Sequence, residues 1–359
     1  MEITGGRLIL HGDAARFGLQ KAQASGRLNA LIEAAAPGDR KALAALSDGV
    51  SVDRRLRLLG DDHHVRYARL IGGVEGGTWR GLLLPAGAGP VGGLEALDLE
   101  TALRQALDDG DVLAHHQPVV SFETGKLVGF EALARWVRLD GSVDGPEHFL
   151  PLADEQGLIR AVGDGVRRCA IDDAAAWRAS RPDAPSLFVA ANATASELCA
   201  PDFVETLGEE IAAAGLPPGT FKLEVSETEV MRDPDAAEIA MKGLRAAGVS
   251  LVLDDFGTGY SSLSRLDRFP FDTVKIDQYF TRAAEIDPAA RSIITGVVRI
   301  ARSYSMTIVA EGVETEAAAS LCAELGCDFG QGFRFAQALN PQDAAEAVLH
   351  GVKGRFRAP

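Results

Sequence analysis

The sequence has few cysteines, lacks a long apolar run and begins without the pattern of a leader peptide. Its four cysteines, Cys169, Cys199, Cys322 and Cys327, show no zinc-like spacing, and a chain of 359 residues does not depend on a disulfide framework. No apolar run approaches the roughly 20 residues of a membrane span. The opening stretch "MEITGGRLIL" lacks the basic and apolar regions of a signal peptide. We therefore expect a reduced, cytoplasmic protein without a membrane span.

Positive charge is scarce beyond the first quarter of the chain, and the formal net charge is −15. Residues 1–93 hold 12 Lys and Arg against 9 Asp and Glu, whereas the remainder holds 24 against 42. A surface this acidic argues against holding a nucleic-acid backbone, so we expect no DNA partner. Most of these charges are explained by solubility alone. A phosphate-containing substrate, however, would need metal ions as intermediaries.

Low-complexity tracts and internal repeats are also absent, and the length allows one large domain and a small one. The uncharged stretch "PAGAGPVGG", Pro85–Gly93, is rich in glycine and proline, which is typical of a linker. We therefore predict a small domain over residues 1–84, a linker over 85–93 and a large domain over 94–359.

Residues 1–84 predict a small α+β domain in which helices come first and strands follow. The runs "FGLQKAQASGRLNALIEAA" and "DRKALAALSDG" have helical patterns, and the runs "RRLRLLG", "HVRYARLIG" and "TWRGLLLPA" indicate an antiparallel meander. The meander resembles the C-terminal half of a PAS domain, which would imply a regulatory sensor module. A purely structural appendage is the alternative.

After the linker, strands and helices alternate. The run "DLETALRQAL" predicts a helix capped by Asp98. Eight apolar runs then predict strands, and their number and length match an α/β fold of the (β/α)₈ TIM-barrel type. These runs are "VLAHHQPVV", "LVGFEALARW", "SLFVAAN", "FKLEV", "VSLVLDD", "DTVKID", "MTIVAEG" and "CDFGQGF".

Polar side chains interrupt or follow most of these apolar runs. The strands of such a barrel end at one common face, where functional residues collect. We therefore expect five carboxylates, one amide and one lysine to meet there: Glu131, Asn192, Glu224, Asp254, Asp255, Lys275 and Glu311. Gln331 lies within the eighth run.

Five carboxylates in one pocket require cations or strongly raised pKa values. Ligands that offer only oxygen favour hard ions, here two Mg²⁺ or Mn²⁺ ions. An adjacent pair such as Asp254 and Asp255 can serve two ions, which would grip a phosphoryl group and activate a water molecule. Lys275 would steer that water or balance the charge.

Each residue also has a simpler explanation. A single glutamate at a strand end is more commonly an ion-pair partner, Asn192 a turn former, and the Asp254–Asp255 pair a helix cap. Their joint placement on consecutive strands favours the metal site. One of His115 and His116 is expected to face the core or a helix, and neither is assigned to metal. The "GTG" of Gly257–Gly259 indicates a flexible lid or an interface loop.

Residues 94 to 350, nearly three quarters of the chain, resemble the EAL-domain phosphodiesterases, which open cyclic di-GMP to linear pGpG. The resemblance rests on these motifs, in this order: "HHQPVV", "FEALARW", "FLPLADEQGLI", "NATASEL", "LEVSETEVM", "LDDFGTGYSSLSRL", "VKIDQYF", "VAEGVET" and "LGCDFGQGF". It implies a barrel in which one strand runs opposite to the others.

The resemblance also implies a role for each matching residue. Glu131, Asn192, Glu224 and Asp254 would hold one ion, and Asp254, Asp255 and Glu311 the other. Lys275 would contact the attacking water. Arg135 would bind a substrate phosphate and Gln331 would complete the pocket. Glu227 would hold the loop Phe256–Ser262, through which family members form homodimers, and Glu314 would support the ligands from outside.

Two departures from the family pattern are visible. "NATA" replaces the usual leucine and serine after the asparagine, although Thr194 keeps a hydroxyl. Ala338 stands where a proline is expected, which puts the start of the last helix in doubt.

The sequence therefore predicts an enzyme that hydrolyses cyclic di-GMP and lowers the level of this second messenger. The main alternative is a cyclic di-GMP receptor or scaffold with weak catalysis, and a two-metal hydrolase for another phosphodiester is a third. No diguanylate cyclase motif is present, so synthesis of the dinucleotide is not expected.

Overall fold

A computed structural model describes residues 1–11, 19, 25–35, 37–59, 65–85, 94–138, 141–182, 187–256 and 268–352. The chain divides into two compact units, Met1–Gln105 and Ala106–Pro359. The helix that contains the boundary, α3, spans Leu94–Asp109. We predicted that Asp98 caps this helix, and this is wrong, because the helix begins four residues earlier and Asp98 lies within it.

In the described part of the first unit, six strands form one sheet whose described pairings are antiparallel. Along the sheet the strands are ordered β3-β2-β1-β6-β5-β4. The strands are β1 Glu2–Thr4, β2 Arg7–Ile9, β3 Ser25–Arg27, β4 Val52–Leu59, β5 Val65–Glu75 and β6 Thr78–Pro85. Helices α1 Leu28–Glu33 and α2 Pro37–Ala44 and a 3₁₀ turn, Ala45–Asp48, lie between β3 and β4.

The core of this unit follows from strand alternation. Every second residue of a strand points to the same face, and Leu56, Leu58, Ala68 and Leu70 are buried on that face. Trp79 of β6 is also buried there, and its indole N–H donates to the carbonyl oxygen of Val50 at 2.8 Å. The predicted three-stranded meander corresponds to β4, β5 and β6.

Part of the predicted order in this unit is wrong. Strands β1, β2 and β3 precede the helices, so the helices do not come first. Ser25–Arg27, predicted as helix, instead pair with β2, because ladder hydrogen bonds override a local helical pattern. Most of the remaining predicted helix over residues 17–24 lies outside the described residues, as does the predicted linker over 85–93 except Pro85, which ends β6.

The second unit contains all eight predicted strands, and helices alternate with most of them. The strands are β7 Val112–Ser121, β8 Leu127–Val137, β10 Phe188–Asn192, β11 Phe221–Ser226, β12 Ser250–Phe256, β13 Thr273–Ile276, β14 Thr307–Ala310 and β15 Phe329–Gln331. A two-residue strand, β9 Val143–Asp144, pairs with β8.

The helices of the second unit, as far as the structure describes it, cover the outside of these strands. They are α4 Pro146–Glu155, α5 Ile159–Ser180, α6 Ala195–Leu198, α7 Phe203–Ala213, α8 Glu227–Arg232, α9 Pro234–Ala246, α10 Gln278–Ala284, α11 Pro288–Ser303, α12 Glu316–Glu324 and α13 Pro341–His350.

Across the described ladders the eight strands close into a barrel, since β8 pairs with both β7 and β10. Strand β7 is antiparallel to both of its neighbours, β15 and β8, and the other neighbouring barrel strands are parallel. The predicted (β/α)₈ barrel with one reversed strand is therefore confirmed.

The last helix begins normally despite the missing proline. The side chain of Asn340 accepts a hydrogen bond from the backbone N–H of Asp343, and Pro341 occupies the first helical position. Both residues favour a helix start, so Ala338 does not disturb it. Among the helices that the structure describes, none combines the length and apolarity needed to cross a membrane.

Candidate active site

The end of the barrel where the parallel strands terminate, the C-terminal pole, contains an open cavity of about 300 Å³. Of the predicted site residues, this cavity is lined by Glu131, Asp254, Asp255, Glu311, Glu314 and Gln331. Asn192, Glu224 and Lys275 contact these residues directly or through one another. The structure thus brings together at one pole the seven polar residues that we placed there from the sequence, and Gln331 joins them.

Lys275 lies at the centre of the site and is almost fully buried. Within the described residues, four carboxylates approach its Nζ atom. The distances are 2.7 Å to Glu224 Oε2, 2.7 Å to Glu311 Oε1, 3.1 Å to Glu131 Oε2 and 3.4 Å to Asp254 Oδ1. A single ammonium group is therefore shared by carboxylates from four strands or strand ends.

Two amides fix the orientation of Glu131. Gln331 Nε2 donates to Glu131 Oε2 at 2.5 Å and to Gln117 Oε1 at 2.9 Å. Asn192 Nδ2 donates to Glu131 Oε1 at 3.1 Å. Both carboxylate oxygens of Glu131 are therefore engaged, and its position is set by β10, β13 and β15 together.

The Asp254–Asp255 pair reaches the cavity through an irregularity in β12. Consecutive residues of a regular strand point to opposite faces. Here the register with β13 shifts between Leu253 and Phe256, and Asp255 adopts a left-handed backbone with φ of 55°. Aspartate tolerates this conformation better than most residues. Both aspartates consequently line the same cavity.

Burial and mutual repulsion disturb the ionisation of these carboxyls. Burial raises the pKa of Glu224 well above its usual value, and the neighbouring Glu131 raises it further. Burial likewise raises the pKa of Glu311 to about 8, against the opposing effect of Lys275. The pKa of Asp255 is raised by burial and by Asp254. The site therefore disfavours full ionisation without additional positive charge.

The pKa values of Glu131 and Lys275 shift in the directions that favour the charged forms of these residues. Burial opposes ionisation of Glu131, but Lys275 and the hydrogen bonds from Gln331 outweigh it and lower its pKa. Burial also opposes the charge on Lys275, but Asp254, Glu131 and the other carboxylates outweigh it and raise its pKa well above the usual value. The pair is therefore a carboxylate and an ammonium at neutral pH.

The donor set fits divalent cations. Asp254, Asp255 and Glu311 each offer an oxygen, and these oxygens lie within 4.8 Å of one another. The remaining candidate ligands add carboxylate or amide oxygens, which suit Mg²⁺ and Mn²⁺. Lys275 supplies one positive charge to a cluster of five carboxylates, so bound cations would relieve the repulsion that raises their pKa values.

Of the three further predicted site residues, Glu314 lines the cavity, whereas Arg135 and Glu227 are not among its lining residues. Arg135 occupies the C-terminal part of β8, is partly buried, and donates from Nη1 to the carbonyl oxygen of Ala134 at 2.7 Å. Glu314 is exposed and accepts a hydrogen bond from Arg282 Nη2 at 2.6 Å. Glu227 begins α8, directly after β11. Of the loop that Glu227 was predicted to hold, Phe256–Ser262, all residues but Phe256 lie outside the described residues.

The cavity also includes residues that sequence reasoning missed, namely Gln117, Leu133, Gln278, Arg282 and Phe333. Gln117 could have been found, because it pairs with Glu131 in the β7–β8 ladder and lies two residues from His115 on the same face. The sequence around Arg282 did not indicate a place in the cavity, since the ion pair of Arg282 with Glu314 joins residues that are 32 positions apart.

The two histidines of β7 separate as expected. His116 is buried, and its Nε2 lies 2.6 Å from Asp173 Oδ2 on α5. Its ring packs edge-on against Trp177 with centroids 4.9 Å apart. His116 is therefore the histidine that faces a helix.

Known proteins match the part of the chain that forms this site. The model of the family described as "EAL domain" matches residues 100–338. A protein from Azorhizobium caulinodans is 40% identical over 256 residues, covering 70% of this chain and 35% of its own length. The bifunctional diguanylate cyclase/cyclic di-GMP phosphodiesterase MucR of Pseudomonas aeruginosa is 37% identical over 239 residues, covering 67% of this chain and 35% of MucR.

A solved structure, the PaMucR phosphodiesterase in complex with c-di-GMP, shares the fold with a TM-score of 0.65 and 35% sequence identity. The match covers 69% of this chain and 99% of that chain. The chain spans about a third of the length of the curated relatives it matches. Because the family model covers more than half of the chain, the resemblance seen in the motifs is confirmed. The chain belongs to the EAL-domain family.

Proposed function

We propose that this chain hydrolyses cyclic di-GMP to linear pGpG with the help of two divalent cations, Mg²⁺ or Mn²⁺. The observation that carries the proposal is the meeting of Glu131, Glu224, Asp254, Asp255 and Glu311 at one pole around the buried Lys275. The c-di-GMP complex of the related PaMucR phosphodiesterase supports the choice of substrate.

In this proposal the cations are held by two groups of ligands that share Asp254. Glu131, Asn192, Glu224 and Asp254 would hold the first, and Asp254, Asp255 and Glu311 the second. When bound, the pair would supply Lewis acidity toward a phosphodiester and lower the pKa of a water molecule.

The chain's own residues would position the reactants. Against the effect of burial, the surrounding carboxylates raise the pKa of Lys275, which favours an ammonium whose Nζ donates hydrogen bonds. This ammonium would orient the attacking water. Arg135 would bind a substrate phosphate through its guanidinium. Gln331 would keep Glu131 in its ligating orientation through the 2.5 Å hydrogen bond.

The proposal extends to the oligomeric state, the cellular location and the regulation of the protein. Glu227 would hold the loop after β12, that loop would form the contact of a homodimer, and Glu314 would support the ligand Glu311 from outside. We also propose that the protein acts in the cytoplasm, where the dinucleotide is a signal. Residues 1–84 would regulate the activity or location of the barrel.

The test is chromatographic separation of nucleotides after incubating the purified full chain with cyclic di-GMP and Mg²⁺ or Mn²⁺. We expect pGpG from the wild type and none with EDTA. Glu131→Ala should lose more than the roughly 100-fold that removal of an outer-shell partner costs. Glu346→Gln, which alters an exposed carboxylate on α13, is the matched control and should keep full activity.

Equal rates for the wild type and Glu131→Ala would refute the proposal. Binding of cyclic di-GMP with no pGpG over hours would instead identify a receptor or scaffold. Faster hydrolysis of a competing phosphodiester would identify a different substrate.

A further inference from the structure

We infer that Arg167, on α5, is a positioning residue that sets the backbone of Asn192 so that its side chain reaches the first metal position. The inference rests on the proposed function only in taking Asn192 as a metal ligand. Arg167 touches neither the cavity nor the candidate ligand atoms. Its influence would pass through one carbonyl oxygen.

The guanidinium of Arg167 is buried and donates hydrogen bonds from both of its Nη atoms. Nη1 donates to the backbone carbonyl oxygen of Asn192 at 3.2 Å. Nη2 donates to Glu197 Oε1 at 2.6 Å and to Asp164 Oδ1 at 2.5 Å. The side chains of Arg167 and Glu197 are each about 2% exposed, so this ion pair lies out of solvent. It links α5 to the segment that follows β10.

Glu197 extends the connection to the turn after Asn192. Its Oε2 accepts hydrogen bonds from the backbone N–H and the hydroxyl of Thr194, both at 2.8 Å. The Thr194 hydroxyl in turn accepts from the backbone N–H of Glu197, which completes a capping box at the start of α6. The turn is therefore held by the same carboxylate that neutralises Arg167.

Gly163 of α5 leaves the space that this ion pair occupies. A Cβ atom on Gly163 would meet Glu197 Oε1 and would lie 2.8 Å from Arg167 Nη1. Only a glycine avoids that conflict without displacing the charged groups. The pair is therefore built into the helix surface and is not an accident of side-chain orientation.

The position of Asn192 explains why such a constraint has an effect. Asn192 is the last residue of β10, and its side chain is exposed, so few packing contacts orient it. The peptide group after it is held on both sides, because the backbone N–H of Ala193 donates to the carbonyl oxygen of Glu224 at 2.9 Å and the carbonyl oxygen of Asn192 accepts from Arg167 Nη1. A charged donor on its carbonyl oxygen restricts that peptide and, with it, the direction of the Asn192 side chain.

The experiment measures Mn²⁺ binding to the full chain without nucleotide, by the electron paramagnetic resonance signal of free Mn²⁺, beside a urea unfolding curve. Arg167→Leu alone leaves Glu197 buried without its cation and should destabilise the protein. Arg167→Leu combined with Glu197→Gln removes both charges and keeps the capping acceptor, so its unfolding midpoint should return close to that of the wild type. Its Mn²⁺ affinity should remain about 10-fold weaker, the lower end of the range for outer-shell partners.

A double-mutant cycle separates positioning from general structure. In an Asn192→Ala background the same double substitution should cause no further loss of Mn²⁺ affinity. Arg168→Leu removes a neighbouring exposed arginine, which pairs with Glu210, and should leave affinity unchanged. Wild-type affinity in the Arg167→Leu/Glu197→Gln protein, or an equal loss in the Asn192→Ala background, would overturn the inference.

Failure of this positioning role and failure of the proposed function give different results in these experiments. Coupled loss of Mn²⁺ affinity in a protein that releases no pGpG would support the positioning role and refute the catalytic proposal. Normal turnover with no coupling in the cycle would refute the positioning role alone. A wild type that binds no Mn²⁺ would refute both.

Discussion

At the scale of single residues, Lys275 has the greatest influence on the charge of the site. It is nearly fully buried and faces four described carboxylates within 3.4 Å. Removing one member of such a buried set leaves the other charges without compensation, which costs more than the set contributes as a whole. Divalent cations at the same carboxylates would supply the missing charge.

We therefore predict that Lys275→Met destabilises the metal-free protein strongly and the Mn²⁺-loaded protein much less. In EDTA the free energy of unfolding should fall by about 3–5 kcal/mol, the range for breaking a buried ion pair. The measurement is urea unfolding followed by circular dichroism, with and without Mn²⁺. Lys242→Met, at an exposed helical ion pair with Glu238, is the control. An unchanged unfolding midpoint of Lys275→Met in EDTA would contradict this charge balance.

The candidate ligands could be named from the sequence because each interrupts, ends or follows a recognisable apolar run. The connections between these residues could not be predicted in the same way. Arg167 meets Asn192, 25 residues later, and Gln331 meets Glu131, 200 residues earlier. Such contacts depend on how helices and strands come together, and a local pattern does not contain that information.

At the scale of elements, the irregular end of β12 determines how two neighbouring aspartates serve one cavity. A left-handed backbone at a residue other than glycine costs roughly 1–2 kcal/mol. Aspartate and asparagine reduce this cost because their short polar side chains form local hydrogen bonds. The strand end therefore restricts position 255 by backbone shape as well as by charge.

We predict that Asp255→Asn folds as stably as the wild type and loses turnover, whereas Asp255→Val loses both stability and turnover. Asparagine keeps the left-handed backbone but offers a neutral ligand. Valine, which is β-branched, should lower the free energy of unfolding by about 1–2 kcal/mol. Urea unfolding and cyclic di-GMP turnover on the two variants check this. Equal stability of the two variants would show that the backbone at this position is not restricted.

Helices and strands were predicted correctly where apolar runs were long. They were predicted incorrectly where pairing with another strand decided the local structure. All eight barrel strands follow from their apolar runs. The expectation of one reversed strand followed from the family resemblance, since periodicity does not reveal strand direction, and the structure identifies that strand as β7. The two-residue strand β9 has no sequence pattern, and Ser25–Arg27 became a strand because β2 offered a partner. The helix that was expected to start at Asp98 starts at Leu94, directly after the stretch predicted as linker, so the aspartate did not mark the helix start.

At the scale of the whole molecule, the chain consists of two units, each with its own buried core. The core of the first unit includes Leu8, Leu31, Leu56, Leu70 and Trp79. Its predicted role as a regulatory domain stays a prediction, as do the boundaries at residues 84 and 94. The matches to MucR and the A. caulinodans protein cover 67% and 70% of this chain and 35% of each relative, so the other segments of these relatives say nothing about this unit.

We predict that Trp79→Ala unfolds the first unit while the barrel keeps its own transition. Loss of a buried tryptophan costs about 3–5 kcal/mol, a large fraction of the stability of a small domain. Differential scanning calorimetry of the full chain should show that the transition of the first unit is lost or moves to a lower temperature. The transition of the barrel should be retained. Leu82→Ser, at an exposed position of the same sheet, is the control.

The same variant tests the regulatory proposal for residues 1–84. If that unit controls the barrel, Trp79→Ala should change cyclic di-GMP turnover or the oligomeric state, and Leu82→Ser should change neither. Unaltered turnover, oligomeric state and cellular location after loss of the first unit's transition would identify a structural appendage.

The most direct test of the metal site is anomalous X-ray diffraction from crystals of the full chain grown with Mn²⁺. We predict two anomalous peaks at the C-terminal pole. One should lie among Glu131, Asn192, Glu224 and Asp254, and the other among Asp254, Asp255 and Glu311. Peaks confined to other surfaces, or no peak at this pole at saturating Mn²⁺, would contradict the proposal that these carboxylates hold a pair of divalent cations.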